Sequence, residues 1–153
     1  MHLTESIKSC LDQSVLCWLA SCSTDLIPNV SPKEIFTHID NEFIIIANIA
    51  SPNTIKNIKA NPNICISAID ILIQKGYQLK GKAEIIVKSD PLFKKLYAPL
   101  YHLAGDRFPF SSIIKMKLES AKEILAPSYI LYPATTNEKN QIENAKRIYR
   151  LSE

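Results

Sequence analysis

Two groups of residues in this 153-residue chain have the types and the spacing to hold an anion. Asn29, Ser31 and Lys33 stand at i, i+2 and i+4, so a regular strand turns all three side chains to one face and lines up polar donors with a cation. Further on, Ser51-Pro52-Asn53-Thr54 reads as the start of a short helix, with Pro52 at its first position and Asn61-Pro62 stopping it. A helix start offers backbone N–H groups without an intrahelical partner and a favourable dipole; two hydroxyls stand beside them here, a combination that suits phosphate. Each group alone is ordinary, because caps and solvated strand faces use the same residues. It is their order and spacing in one chain that points to a phosphate-bearing ligand.

The elements that must position these groups are mostly strands. Leu3, Ile7, Cys10 and Leu11 fall at helical spacing behind Thr4, which predicts a short amphipathic helix over 3–12 that covers one end of a barrel. Val15 to Cys22 reads as a strand, Ser23-Thr24-Asp25 as a turn, and Ile27 to Ile39 as a second strand. Pro28 and Pro32 cannot donate to a ladder, so that strand belongs at an edge or carries a bulge. Asp40-Asn41 turns the chain into Phe43 to Ala47, an apolar run suited to a buried strand. After the helix begun at Ser51 come strands over Ile64 to Ile69 and Tyr77 to Val87, the second with Gly81 marking a bulge or a close backbone approach.

Asp90-Pro91 opens a further helix carrying Leu92, Phe93, Leu96, Tyr97 and Leu100, with Pro99 inside it and Gly105-Asp106-Arg107 ending it. Ile113 to Leu118 alternates as a last strand, and Ala126 to Pro133 reads as extended. Ile142, Ala145, Ile148 and Tyr149 form the stripe of a C-terminal helix over about 137–150. No repeat or linker divides the chain, so residues 1–153 are expected to form one domain. Six antiparallel strands must hide their edges, and closing into a barrel is the usual solution at this size.

Composition narrows the classes. Apolar residues make up 46% and charged residues 22%, typical of a globular protein, and no apolar run approaches the ~20 residues a bilayer-spanning helix needs. Met1 to Gln13 lacks the basic start and apolar stretch of a secretory leader, from which a cytoplasmic location is expected. Cys10, Cys17, Cys22 and Cys65 include no Cys-x-x-Cys pair and no histidine at ligand spacing, so reduced thiols and no metal site are expected. A net charge of +3, with the basic residues scattered, gives no footprint for nucleic acid.

With these pieces in order, the sequence resembles the pyridoxamine 5'-phosphate oxidase-like, FMN-binding split-barrel superfamily. Ile27-Pro28-Asn29-Val30-Ser31-Pro32-Lys33-Glu34 is similar to its second strand, and Phe43 to Asn48 to the strand that lies along the isoalloxazine ring. The run from Ser51 to Pro62 is similar to its phosphate-binding loop and helix, with an Asn-Ile-Lys-x-Asn-Pro ending, and Gly76 to Glu84 to a later strand with a Gly-x-Ala/Glu signature. The likeness extends over about residues 3 to 125.

It implies a mainly β fold, a six-stranded antiparallel split β-barrel with peripheral helices, and a homodimer with FMN at the interface. The implied function is that of an FMN-dependent oxidoreductase with an unidentified small-molecule substrate. The alternative is a flavin, haem or deazaflavin binding or electron-carrier protein without turnover. By position in the family's motifs, Ser31 and Lys33 would approach the phosphate or ribityl chain, and Ile46 and Ala47 would offer backbone groups to the flavin edge. Ser51, Asn53 and Thr54 would hold the phosphate, with Lys56 contributing. Two departures matter. Asn53-Thr54 stands where the family's oxidase carries Arg-Lys, so binding is expected either to be weaker or to lean on Lys33 and Lys56. The C-terminal arginine and histidine that hold the pyridoxal substrate have no counterpart, since Tyr149-Arg150-Leu151-Ser152-Glu153 follows a helical stripe, so pyridoxamine 5'-phosphate oxidation itself is not expected.

The remaining chemistry-bearing residues read as structural. Trp18 shares a strand face with Leu16 and Ala20 and is assigned to the core. His38 beside the Asp40-Asn41 turn is read as an exposed hairpin residue, and neither it nor His102 has an evident carboxylate partner. Arg107 is read as a solvated loop residue, and the stripe at 142–149 as packing or dimer surface. No catalytic residue is assigned; in flavin chemistry the cofactor accepts the hydride and the protein supplies position and electrostatics.

Overall fold

Twelve elements follow from these patterns in the computed structural model, which describes residues 1–151. In chain order they are α1 Glu5–Gln13, β1 Cys17–Cys22, β2 Pro28–Lys33, β3 Phe36–Ile39, β4 Phe43–Ala47, α2 Pro52–Ala60, β5 Asn63–Asp70, β6 Lys75–Val87, α3 Phe93–Ala104, β7 Ser112–Leu125, α4 Pro127–Leu131 and α5 Glu138–Tyr149. The strands form one antiparallel sheet in the order β2-β1-β5-β6-β7-β4-β3.

There are seven strands where six were expected, because the run Ile27 to Ile39 breaks at Glu34-Ile35. Its halves, β2 and β3, lie at opposite edges of the sheet. Only Glu34 and Ile35 join them, and a link that short spans at most about 11 Å from Lys33 to Phe36. The two edges must therefore curl toward each other, which makes the sheet a split barrel. Pro28 and Pro32 sit on the edge strand β2, as their missing N–H groups require.

The barrel interior is filled from alternate positions, among them Leu19, Ile66, Leu79, Ile114, Met116 and Leu118, closed by Ile7 and Leu11 of α1 and Ile58 of α2. A second cluster lies on the other face, where Phe93, Leu96 and Leu100 of α3 cover Ile45, Ile86 and Ile113. β4 is thus covered on both faces, which is why Phe43 to Ala47 is apolar without alternation. Asp40 and Asn41 both take positive φ, 52° and 56°, in the β3–β4 turn, a conformation these two residues tolerate better than most. Gly81 marks the register shift between β6 and β7.

Several expectations are corrected. Trp18 is outside the core: Cys17, Leu19 and Ser21 point inward, and the indole points out. His38 has a carboxylate partner, its Nε2 lying 3.3 Å from Asp12 Oδ1, because α1 packs against β3. The helix expected from Asp90-Pro91 starts at Phe93, since Asp90 Oδ1 accepts from Leu92 N at 2.8 Å and holds a turn there. β7 continues past Leu118 to Leu125, paired along the first half of β6. The segment expected to be extended over 126–133 contains α4, anchored by Tyr129 Oη donating to the Ile73 carbonyl at 2.8 Å. In α5 only Gln141 and Ala145 are buried; Ile148 and Tyr149 are exposed. Ser152 and Glu153 of the terminal run lie outside the described residues.

All four cysteines are free, with Cys17 buried and the others half-buried. Among the described residues no helix is long and apolar enough to cross a membrane.

Candidate functional site

β2 alternates strictly: Pro28, Val30 and Pro32 face outward, while Asn29, Ser31 and Lys33 face inward toward α2. Lys33 is only 5% exposed. Its Nζ donates to Ser31 Oγ at 3.0 Å and to Ser51 Oγ, which in turn donates to the Ile49 carbonyl at 3.1 Å. Among the described residues no carboxylate pairs with Lys33. Burial lowers its pKa from the ordinary lysine value, against a smaller opposing effect of Cys17. Cys17, directly opposite Lys33 on β1, supplies no countercharge at neutral pH, because burial pushes its thiol up to about 12. A buried ammonium with three donors, two hydroxyl acceptors and no anion is incomplete: charges of this kind are paired in stable sites. An incoming anion supplies the missing partner.

The start of α2 lies at the same corner. Ser51 occupies its N-cap position, yet its hydroxyl makes no capping bond, being engaged with Ile49 and Lys33. α1 and α5, by contrast, are capped by Thr4 and Asn137. The first amides of α2, at Asn53 and Thr54, are left without a side-chain cap. The turn into α2 passes through Ala50 at φ 49°, a left-handed conformation that side chains resist. Ala50 is exposed, so only its backbone matters. Ala50→Val is expected to lower stability in urea unfolding by about 1–2 kcal/mol, while Ala50→Gly leaves it within about 0.5 kcal/mol.

Other residues anticipated from the sequence are distributed around this corner. Thr54 is buried, and its Oγ1 accepts from Asn29 Nδ2 at 3.4 Å. Asn53 and Lys56 are exposed on α2. Ile46 points into the barrel core, whereas Ala47 points to the opposite face with its N–H donated to the Ile35 carbonyl at 2.9 Å. The structure therefore brings Ser31, Lys33 and Ser51 together and holds Thr54 against β2. Asn57 and Ser21, which the sequence did not single out, tie this corner: Asn57 Nδ2 donates to Ser21 Oγ at 3.1 Å, and Asn29 Nδ2 reaches the same oxygen at 3.4 Å. Asn57 stands three residues after Thr54, so the helical period put both on one face; that was the available signal.

Beside Lys33 lies a small hollow of about 170 Å³, lined by Pro32, Lys33, Glu34, Ile35, Ala47, Ile49 and Phe108. Lys33 and Glu34 bring opposite charges to its wall, and the other five lining residues are apolar. Pockets that enclose a cofactor-sized ligand start at roughly 300 Å³, so this hollow by itself is too small to enclose one. At the end of β4, Asn48 Nδ2 donates to Ser112 Oγ at 2.9 Å, and its buried Oδ1 has no partner among the described residues.

A family model described as pyridoxamine 5'-phosphate oxidase matches residues 3–125. No curated protein matches the chain. Among solved structures, HupZ of Group A Streptococcus superposes with a TM-score of 0.69 at 22% identity, over 81% of this chain and 95% of that one. An FMN-binding protein from Syntrophomonas wolfei gives 0.68 at 13% identity, over 80% and 86%. HutZ, the heme storage protein from Vibrio cholerae, gives 0.64 at 17% identity, over 82% and 95%. At these identities the likeness shows the shared fold.

Proposed function

The chain belongs to the pyridoxamine 5'-phosphate oxidase family, and we propose that it is an FMN-binding flavoprotein that acts as an oxidoreductase on a small molecule, with the cofactor held between two copies of the chain. The observation that carries this reading is Lys33, an ammonium buried without a countercharge beside Ser31, Ser51 and the uncapped start of α2. The FMN phosphate is a dianion and fits that donor set. The apolar wall made by Ile35, Ala47, Ile49 and Phe108 suits the edge of a flat ring. When bound, the flavin supplies hydride and electron transfer. Ser31, Lys33 and Ser51 would hold the phosphate, and Ile35, Ala47, Ile49 and Phe108 would line the ring's edge and keep water from it. The FMN-binding neighbour from Syntrophomonas wolfei supports the choice of cofactor.

A second reading, a carrier without turnover, draws on the heme storage protein with the same fold. One experiment separates the two. The purified protein is titrated with FMN and, in parallel, with haem, and the flavin-loaded form is mixed with NADH or NADPH without oxygen. Near-stoichiometric uptake of flavin and bleaching of its bands by the nicotinamide are expected. Uptake of haem in preference to FMN overturns the flavin reading; flavin that binds but resists every reductant leaves a carrier.

A further inference from the structure

The face that α2 turns to the sheet is mostly polar. Its buried residues are Thr54, Asn57 and Ile58, at i, i+3 and i+4, so a single isoleucine is accompanied by two hydrogen-bonding side chains. Thr54 is 1% and Asn57 6% exposed, and Ser21, which meets them from β1, is 5% exposed. Ser21 Oγ accepts from Asn57 Nδ2 at 3.1 Å and from Asn29 Nδ2 at 3.4 Å, and the Asn29 amide also reaches Thr54 Oγ1 at 3.4 Å. Two amide donors occupy both lone pairs of the Ser21 hydroxyl. Ser21 stands opposite Asn29 in the β1–β2 ladder, so the network begins on two paired strands and ends on the helix. Stability does not require this arrangement, because replacing both partners of a buried polar contact by apolar groups of the same shape is nearly neutral. What the polar contacts add is direction. Apolar contact is non-directional, so Ile55 and Ile58 alone would let α2 slide or roll. A hydrogen bond is lost well within the ~1.5 Å rise of one helical residue.

We propose that the Ser21–Asn57 bond, extended by Asn29 and Thr54, is a positioning device: it seats the first turn of α2 so that the free amides at Asn53 and Thr54 converge with the Lys33 ammonium, and it thereby makes the site select a phosphorylated flavin over the unphosphorylated one. This rests on the FMN reading above. The rear of α2 is fixed separately, where the Pro62 carbonyl accepts from Ala83 N at 2.8 Å. Its front is entered through exposed Ala50, and Ser51 is tied to Lys33 and Ile49 instead of capping the helix. Thr54 and Asn57 are therefore what hold the first turn against the sheet. None of the four side chains lines the hollow, whose apolar wall comes from Ile35, Ala47, Ile49 and Phe108, all outside α2. The phosphate end and the ring end of the site thus stand on different elements. A fault in the network is felt at the phosphate alone.

The test compares FMN with riboflavin, the same ring without the phosphate, by quenching of flavin fluorescence. The proteins are the wild type, the double variant Ser21→Ala with Asn57→Leu, Thr54→Val and Lys33→Met, each verified as folded by urea unfolding. The wild type is expected to prefer FMN, and Lys33→Met to lose that preference. The double variant is expected to keep a urea midpoint near that of the wild type and a riboflavin affinity within about twofold, yet to bind FMN about tenfold or more weakly. Thr54→Val removes one acceptor without changing shape and is expected to weaken FMN alone by a few-fold; it reads the same split should the double variant fail to accumulate. Folded network variants that discriminate between the two flavins as the wild type does overturn the positioning role and leave the FMN reading standing. Variants in which both flavins weaken in parallel also overturn it, marking the network as general support of the fold. A wild type that binds neither flavin, or binds both alike, sinks the FMN reading and the proposal together.

Discussion

Lys33→Met is expected to make the unliganded protein more stable and to cost it the cofactor. The side chain lies within the fold with two hydroxyls as partners and, among the described residues, no carboxylate, an arrangement that folding does not favour. Methionine fills a similar length without the charge. Ser51 keeps its bond to the Ile49 carbonyl, and Ser31, half-buried on the edge strand, has water within reach. The net gain is expected at about 1 kcal/mol in urea unfolding. FMN affinity moves the other way. A hydrogen bond between an ammonium and a phosphate is worth ~1.5–3 kcal/mol, so the variant should bind FMN roughly 10- to 150-fold more weakly.

The pH dependence follows from the same residue. The folded-state pKa of Lys33 is lowered, so between that value and the ordinary lysine value near 10.5 the unfolded chain holds more protons than the folded one. Stability of the unliganded protein therefore rises with pH across that window. FMN affinity falls across it, because a neutral amine no longer pairs with the phosphate. Both slopes should be absent in Lys33→Met. A variant less stable than the wild type, with FMN binding unchanged, would show that Lys33 is an ordinary buried lysine and that the phosphate sits elsewhere.

The inward row of β2 was legible in the sequence because an edge strand of regular pleat obeys the two-residue period, and Asn29, Ser31 and Lys33 follow it. The depth of Lys33 was not legible, since burial depends on how α2 packs over the strand. The same limit explains Thr54, whose position at a helix start reads as ligand-facing until α2 is docked and its hydroxyl meets Asn29. Trp18 shows a different limit. Along β1 both alternating sets, Cys17-Leu19-Ser21 and Trp18-Ala20-Cys22, are about equally apolar, so the strand itself does not choose its inner face. The register with β2 and β5 chooses it, and a shift by one residue would invert every side chain. The split at Glu34-Ile35 was hidden because each half has strand character; their placement at opposite edges is a property of the whole sheet.

Gly81→Ala should be severely damaging, as should Gly76→Ala, whose Cβ would lie 2.1 Å from the Ala68 carbonyl oxygen. A Cβ at Gly81 would lie 2.0 Å from the Lys117 carbonyl oxygen and 3.0 Å from its carbon, both backbone atoms of the paired strand. The neighbour cannot yield as a flexible side chain would, because Lys117 lies in the long β6–β7 ladder and its strand also pairs with β4. Relief requires the two strands to part at the bulge, at a cost of about 3 kcal/mol or more. Against a total stability of about 5–15 kcal/mol, that loss should lower the urea midpoint steeply or prevent the protein from accumulating. Gly105→Ala is a contrast in cause: a Cβ there meets nothing within 4 Å, and the loss, about 1–3 kcal/mol, comes from the backbone alone, whose φ of 62° with ψ of −168° lies in a region almost reserved to glycine. FMN binding should follow stability in Gly81→Ala, since β7 holds β4 and β4 supplies Ala47 to the hollow. In Lys33→Met the two properties separate, with a firmer fold and an emptier site. A Gly81→Ala protein as stable as the wild type would mean that β6 and β7 lie farther apart at the bulge than the Lys117 contact indicates.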